Sequence, residues 1–62
     1  MKKNEIILKT VGGEKHEGFE GVECVCFSSK YYITIRFLDG KHIVMPRELF
    51  GGLESGCGVT IK

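Results

Sequence analysis

The sequence predicts an all-β, mainly antiparallel fold, and three observations carry that prediction. Glycines divide the 62-residue chain into short segments, as they do in β proteins. Several segments alternate apolar and polar residues with a period of two, which is the spacing of residues on one face of a strand. The run from Tyr31 to Met45 is interrupted by Asp39-Gly40, one of the strongest short signals for a β-hairpin. A chain this short holds one small core, so we predict a single β domain over residues 1–62.

Two strands are predicted before the hairpin. Residues 5–11 are apolar and β-branched enough to form the first strand, and residues 12–15 form a turn. Residues 16–21 contain two glycines and are predicted as a loop with at most a short bridge of strand. Residues 22–28 form the second strand. Its alternation predicts two faces, formed by Val22, Cys24 and Cys26 and by Glu23, Val25 and Phe27.

The hairpin itself has a well-determined register. Its first strand has an apolar face and a more polar face, formed by Tyr31, Ile33, Ile35 and Phe37 and by Tyr32, Thr34 and Arg36. A slip of one residue would bury Arg36 and expose Ile35, so the register is fixed by burial. Asp39-Gly40 predicts a two-residue type I′ turn with positive φ at both positions. Residues 41–45 form the return strand.

The remaining residues predict one helical turn followed by a last strand. Pro46 has no N–H to donate to a sheet, so it ends the return strand, and residues 47–50 form a helical turn closed by Gly51-Gly52. Residues 54–56 form a turn, and residues 57–62 form the last strand. Five short strands with one helical turn before the last are the order of small SH3-like barrels. A curled antiparallel sheet with the same helical turn is the close alternative.

Charge and hydrophobicity restrict the partners and the compartment. Nine basic and eight acidic residues give a net charge of +1, which provides no electrostatic basis for general binding to nucleic acid or membranes. No run of about 18 apolar residues is present, so no membrane span is predicted. The apolar stretch before Lys9 is too short for a signal peptide, and we predict a cytoplasmic location.

The cysteines and histidines are the candidates for metal chemistry. Cys24, Cys26 and Cys57, with His16 or His42, would give ligand types that suit zinc. However, a Cys-x-Cys pair on a strand spreads its sulfurs along the strand, unlike a Cys-x-x-Cys knuckle, so we predict buried free thiols and no metal or cofactor. No serine or cysteine has a histidine and an acid at a recognisable motif spacing, so no enzyme is predicted.

The second half of the chain resembles a known pattern. Residues 33–46, the spacing Pro46-x-x-x-Phe50-x-x-Leu53 and the closing segment from Gly56 to Ile61 resemble a short bacterial family without an established activity. The resemblance covers residues 33–61; the N-terminal third does not match, and the connection before the last strand is shorter than in that family. Some members of the family are suspected partners in toxin–antitoxin-like pairs. The resemblance implies a small bacterial partner protein and no catalytic residue.

These observations predict a non-enzymatic binding protein that docks on another protein through a sheet face or an edge strand, as an inhibitor or antitoxin-like partner does. Because so small a core gains stability by oligomerising, a homodimer is a further expectation. The predicted binding residues are Tyr32, Thr34, Arg36, Lys41 and Arg47. The alternative is a small nucleic-acid-binding barrel that uses the same face, where a tyrosine stacks on bases and basic side chains contact phosphates.

Overall fold

The protein is all-β and mainly antiparallel, as predicted, with one short 3₁₀ helix. The structure, a computed structural model, describes residues 2–13 and 15–62, so Glu14 in the predicted turn over residues 12–15 lies outside the described residues. The strands are β1 (Ile6–Thr10), β2 (His16–Phe19), β3 (Val22–Cys26), β4 (Tyr32–Phe37), β5 (His42–Pro46), β6 (Phe50–Ser55) and β7 (Thr60–Ile61). The 3₁₀ helix spans Arg47–Leu49, between β5 and β6, and lies within the predicted helical turn.

The strands form two sheets that meet at a bend in the chain. One sheet has the order β2-β1-β6, and the other has the order β5-β4-β3-β7. All pairings are antiparallel except that between β3 and β7. Only Glu20 and Gly21 separate β2 from β3, so the chain passes directly from the first sheet into the second at this point. The two sheets therefore share one bent stretch of chain, residues 16–26.

The structure has seven strands where five were predicted, because two glycine-containing segments pair with β1 and form the strands β2 and β6. Residues 16–19 form β2 instead of a loop, with Ile6 opposite Phe19 and Leu8 opposite Glu17. Gly51-Gly52 lie inside β6 instead of closing the helical turn, and Leu53 lies opposite Leu8. A Cβ at Gly51 would collide with the Thr10 carbonyl oxygen, so this glycine permits close strand pairing.

The predicted last strand is much shorter than expected. Residues 57–58 form a turn, and only Thr60 and Ile61 pair with β3, in parallel orientation. As a result Cys57 is exposed, and the prediction of a buried thiol is wrong there. The turn at 54–56 is also wrong in part, because Glu54 and Ser55 continue β6 opposite Ile7 and Ile6.

The core is a cluster of aliphatic side chains contributed by both sheets. Its buried members are Ile6, Leu8, Val22, Val25, Ile33 and Ile35. Ile33 and Ile35 confirm the predicted inward face of β4, and Phe37 packs against the cluster from the same face. Tyr31 does not belong to that face, because it precedes β4 and is 76% exposed, so its predicted place on the apolar face is wrong.

A bulge in β3 changes which side chains face the core. Val22 lies opposite Phe37 but Cys24 lies opposite Arg36, so the register shifts by one residue between Val22 and Cys24. After this shift Val25 joins Val22 in the core, while Cys24 shares the outer side with Arg36. The prediction that Val22 and the two cysteines share a face is therefore wrong, because simple alternation does not allow for the extra residue.

The hairpin lies where predicted, but its turn is of a different kind. Gly40 N–H donates to the Phe37 carbonyl over 3.1 Å, and Phe37 N–H donates to the Lys41 carbonyl over 2.9 Å. The loop therefore has three residues, 38–40. Gly40 has a φ of 92°, whereas Asp39 has no positive φ and instead accepts a 2.9 Å hydrogen bond from Lys41 N–H through Oδ1. This is a type I turn followed by a left-handed glycine.

Asn4 joins the N-terminus, β3 and the C-terminal segment. Its Nδ2 donates to the carbonyls of Val22 (2.9 Å) and Gly58 (3.1 Å). Its backbone N–H donates to the Cys57 carbonyl, and its own carbonyl accepts from Val22 N–H, each over 2.8 Å. Asn4 has a φ of 58°, the left-handed region that asparagine tolerates better than most residues. One side chain thus fixes three separate stretches of chain.

We expect Asn4→Ala to lower the free energy of unfolding by about 2 kcal/mol. The variant loses two side-chain hydrogen bonds, and alanine tolerates a positive φ less well than asparagine does. Asn4→Gly is the matched control, because it keeps the backbone conformation and loses only the hydrogen bonds. Thermal unfolding followed by circular dichroism compares the two. Equal stability of Asn4→Ala and the wild type would contradict this role.

Candidate functional site

The outer side of the four-stranded sheet carries three of the predicted binding residues. Tyr32, Thr34 and Arg36 lie on one face of β4, with Tyr32 46% exposed and Arg36 also exposed. Their cross-strand partners on β5 are Pro46, Val44 and His42. We call this surface, formed by Tyr32, Thr34, Arg36, His42 and Val44, the outer face. The structure therefore brings Tyr32, Thr34 and Arg36 together, and their role in binding stays a prediction.

Lys41 and Arg47, the other two predicted binding residues, lie away from that cluster. Lys41 directly follows the hairpin loop, and its Nζ is 3.9 Å from Asp39 Oδ2. The Arg47 guanidinium donates to the Phe27 carbonyl over 2.9 Å and lies 5.7 Å from the centre of the Phe27 ring. That ring packs edge-on against Phe50, so Arg47 covers the end of the core. These contacts hold Arg47 against the Phe27 ring, and the roles of Lys41 and Arg47 in binding stay predictions.

A shallow groove of about 200 Å³ adjoins the outer face and contains two thiols. It is lined by Cys24, Cys26, Thr34, Arg36 and Lys62. Cys26 Sγ lies 3.0 Å from Ser28 Oγ. The hydrogen bonds from Ser28 hold the pKa of the Cys26 thiol below its ordinary value, and the positive charges of Lys62 and Arg36 act in the same direction. We call this the thiol groove. The bulge in β3 creates it, which explains why alternation alone did not predict it.

Metal ligands are not clustered here. Within residues 2–13 and 15–62, no group of three or more His, Cys, Asp or Glu side chains is placed to hold a metal ion. His16 lies on β2 and His42 on β5, in different sheets.

A larger apolar groove of about 300 Å³ lies between the two sheets. β1 and β2 form one wall, and β5 and the 3₁₀ helix form the other. Its apolar lining comprises Leu8, Phe19, Ile43, Val44, Met45 and Leu49. Ile43 is 37% exposed and Leu49 52% exposed, so this apolar surface is open to solvent. The sequence signal was the run Ile43-Val44-Met45, which is apolar on both faces of a short strand.

The hydrogen-bonding direction of β5 follows from the bonds at its two ends. Phe37 N–H donates to the Lys41 carbonyl, and Arg47 N–H donates to the Tyr31 carbonyl over 3.0 Å. Since the backbone groups of successive residues in an antiparallel strand point to alternate sides, residues 41, 43, 45 and 47 bond to β4. The backbone N–H and C=O groups of His42 and Val44 therefore point away from the sheet. In the part of the chain that is described, β5 pairs with β4 alone.

The opposite wall of the apolar groove also ends in an unpaired strand edge. Thr10 N–H donates to the Lys15 carbonyl over 3.1 Å, so the same alternation directs residues 15, 17 and 19 toward β1. The backbone groups of His16 and Gly18 point outward, and among the described strands β2 pairs only with β1. The apolar groove is thus bordered by two strand edges with free hydrogen-bonding groups.

In comparisons with known proteins, no family model, curated protein or solved structure matches this chain. The described residues contain no helix long and apolar enough to cross a membrane.

Proposed function

We propose that the protein is a non-enzymatic binding module that accepts an extended segment of another protein along β5. The observation that carries this proposal is the free backbone edge of His42 and Val44, which borders the apolar groove. An exposed strand edge pairs with an added strand, and the alternate side chains of that strand need pockets beside the edge. Here the free edge of β5 supplies the hydrogen bonds, and the apolar groove supplies the pocket.

The apolar groove indicates the chemistry of the partner segment. Its lining from Ile43, Met45 and Leu49 suits apolar side chains, and its volume is at the lower end of the roughly 300–1,000 Å³ of small-molecule pockets. A strand added to β5 directs every second side chain to the same face of the sheet. The expected partner is thus an extended segment with apolar residues at alternating positions. Pro46 ends the edge, because it has no N–H to offer.

The strand adjacency supports a finer description of the fold as an SH3-like barrel. Following neighbours gives β6-β1-β2 in one sheet and β3-β4-β5 in the other, joined at the bend after β2. The 3₁₀ helix connects β5 to β6 at the open side of this arrangement. In this proposal β7 is an addition to β3, and the apolar groove lies between the two sheets, beside β5.

A second copy of the chain is one partner of this class. Two β5 strands could pair antiparallel about a two-fold axis through their free edges, giving the expected homodimer. Sedimentation over a range of concentrations tests it, and a dimer formed this way competes with any peptide bound at β5.

Selection from a library of linear peptides tests the proposed function. We expect the selected peptides to alternate apolar and polar residues and to lose affinity at least tenfold for Val44→Pro, which removes an outward N–H. Tyr32→Ala and Arg36→Glu are the matched controls, since they alter the outer face and leave the edge intact. Selection of no peptide, or equal binding by Val44→Pro, would contradict the proposal.

The nucleic-acid alternative is supported by the charge distribution of the outer face. Arg36 and Lys62 form no ion pair with the described residues, and the Tyr32 ring is 46% exposed on the same face as Arg36. An exposed aromatic ring beside cations suits single-stranded nucleic acid. Adding an oligonucleotide to the same binding assay distinguishes the two functions: this alternative requires binding that falls steeply with salt and is lost in Arg36→Glu.

A further inference from the structure

The thiol groove combines features that the binding function does not use. Cys24 and Cys26 both line it, and Cys24 is only 2% exposed, with no hydrogen-bond partner for its thiol among the described residues. Cys26 is half-buried and lies at hydrogen-bond distance from Ser28. Cys57, by contrast, is exposed in a turn and does not line this groove. The chain therefore offers two thiols in the groove, of which Cys26 is the more exposed, and one at the open surface.

The charge of the groove favours an anionic ligand. Its two charged side chains are the cations of Arg36 and Lys62, and no acidic side chain lines it. The two ion pairs among the described residues join Lys9 to Glu54 and Lys41 to Asp39, so neither groove cation is neutralised. Arg36 lies directly opposite Cys24, and Lys62 N–H donates to the Val25 carbonyl, which holds Lys62 beside Cys26. A carboxylate in this groove would meet both cations.

We propose that Cys26 is a site of reversible S-thiolation by small disulfides that carry carboxylates, with Arg36 and Lys62 binding the carboxylates. The Cys26 thiolate attacks one sulfur of the small disulfide, a new S–S bond forms, and the original S–S bond breaks. The released half leaves as a thiolate and takes a proton from water. The Cys26 sulfur is oxidised and the released sulfur is reduced, so the exchange balances without another reactant.

The neighbouring thiol does not remove the adduct. Residues two apart on one side of a strand have Cβ atoms about 6.6 Å apart, given a rise of about 3.3 Å per residue. A disulfide requires Cβ atoms roughly 3.5–4.5 Å apart. Cys24 therefore cannot close a bond to Cys26 within β3, and the adduct lasts until an external thiol reduces it.

Competing thiols in the same chain provide the test. The reduced protein is treated at low salt with anionic glutathione disulfide or with cationic cystamine, and peptide mass spectrometry gives the initial rate at each cysteine. At each cysteine, the ratio of the anionic to the cationic rate cancels the intrinsic reactivity of that thiol. Comparing the ratio at Cys26 with that at Cys57 cancels the intrinsic reactivities of the two reagents. We expect this ratio to be on the order of fivefold higher at Cys26, because opposite charges attract at low ionic strength.

Variants of the cations connect the preference to the groove. Arg36→Gln with Lys62→Gln should reduce the Cys26 ratio to that of Cys57, and Arg36→Lys should retain it. Both positions are exposed, so these changes spare the core. Equal ratios at Cys26 and Cys57 in the wild type, or an unchanged Cys26 ratio in the double variant, would overturn the proposal.

Discussion

Gly51→Ala is expected to leave the protein largely unfolded. A Cβ at this position would overlap the Thr10 carbonyl oxygen and lie 2.8 Å from Val11 N. Both are backbone atoms, so no side-chain rotation relieves the overlap, and β1 and β6 must separate. We expect a loss of about 3 kcal/mol or more, which is comparable to the roughly 3–5 kcal/mol that a core of this size supplies.

The adjacent glycine provides a matched control for this prediction. A Cβ at Gly52 would meet only the Lys9 side chain, at 3.8 Å and beyond, which is ordinary contact. The free energy of unfolding of Gly52→Ala should therefore lie within about 1 kcal/mol of that of the wild type. Urea unfolding followed by circular dichroism compares the three proteins. A Gly51→Ala protein as stable as Gly52→Ala would show that β1 and β6 do not pair in the register described.

Proline substitutions in β5 are expected to have opposite outcomes at adjacent positions. Ile43→Pro should unfold the domain, because it removes an N–H that bonds to β4 and a side chain that packs beside the apolar groove; the backbone effect alone costs about 3 kcal/mol. Val44→Pro should remain folded, because its N–H points away from the sheet and its side chain is 55% exposed.

Thermal unfolding of the two proline variants is the measurement. Its outcome decides which edge of β5 is free, and it also establishes Val44→Pro as a folded variant for the binding experiments. If Val44→Pro unfolds and Ile43→Pro does not, the alternation along β5 is the reverse of that described, and the free edge belongs to Ile43 and Met45.

The hairpin could be predicted from the sequence because its signals are local. The alternation around Ile33 and Ile35 and the Asp39-Gly40 pair depend only on neighbouring residues, and the structure confirms both the face and the position of the turn. The turn type differed because a type I turn with one left-handed glycine also satisfies the same dipeptide.

The errors arose where pairing with a distant strand determines the structure. Gly18 and the pair Gly51-Gly52 look like loop residues, yet both segments are held in strands by β1. The bulge in β3 depends on how β3 meets β4, so its sequence gave no sign that Cys24 and Cys26 would join Arg36. Tyr32, Thr34 and Arg36 lie on one face as predicted, because β4 is regular. Arg47 does not lie with them, because its guanidinium contacts Phe27.

The apolar groove could not be predicted, because it is bounded by residues from β1, β2 and β5 that are far apart in sequence. The free edge of β5 likewise depends on which strands lie beside it.

Amide hydrogen exchange, measured by NMR with and without a selected peptide, tests whether an extended segment binds along β5. We expect the peptide to slow exchange at the His42 and Val44 amides, which point toward the added strand, and to leave the already bonded Ile43 and Met45 amides nearly unchanged. Slowed exchange or shifted signals concentrated around Tyr32 and Arg36, with His42 and Val44 unaffected, would contradict binding along the edge of β5.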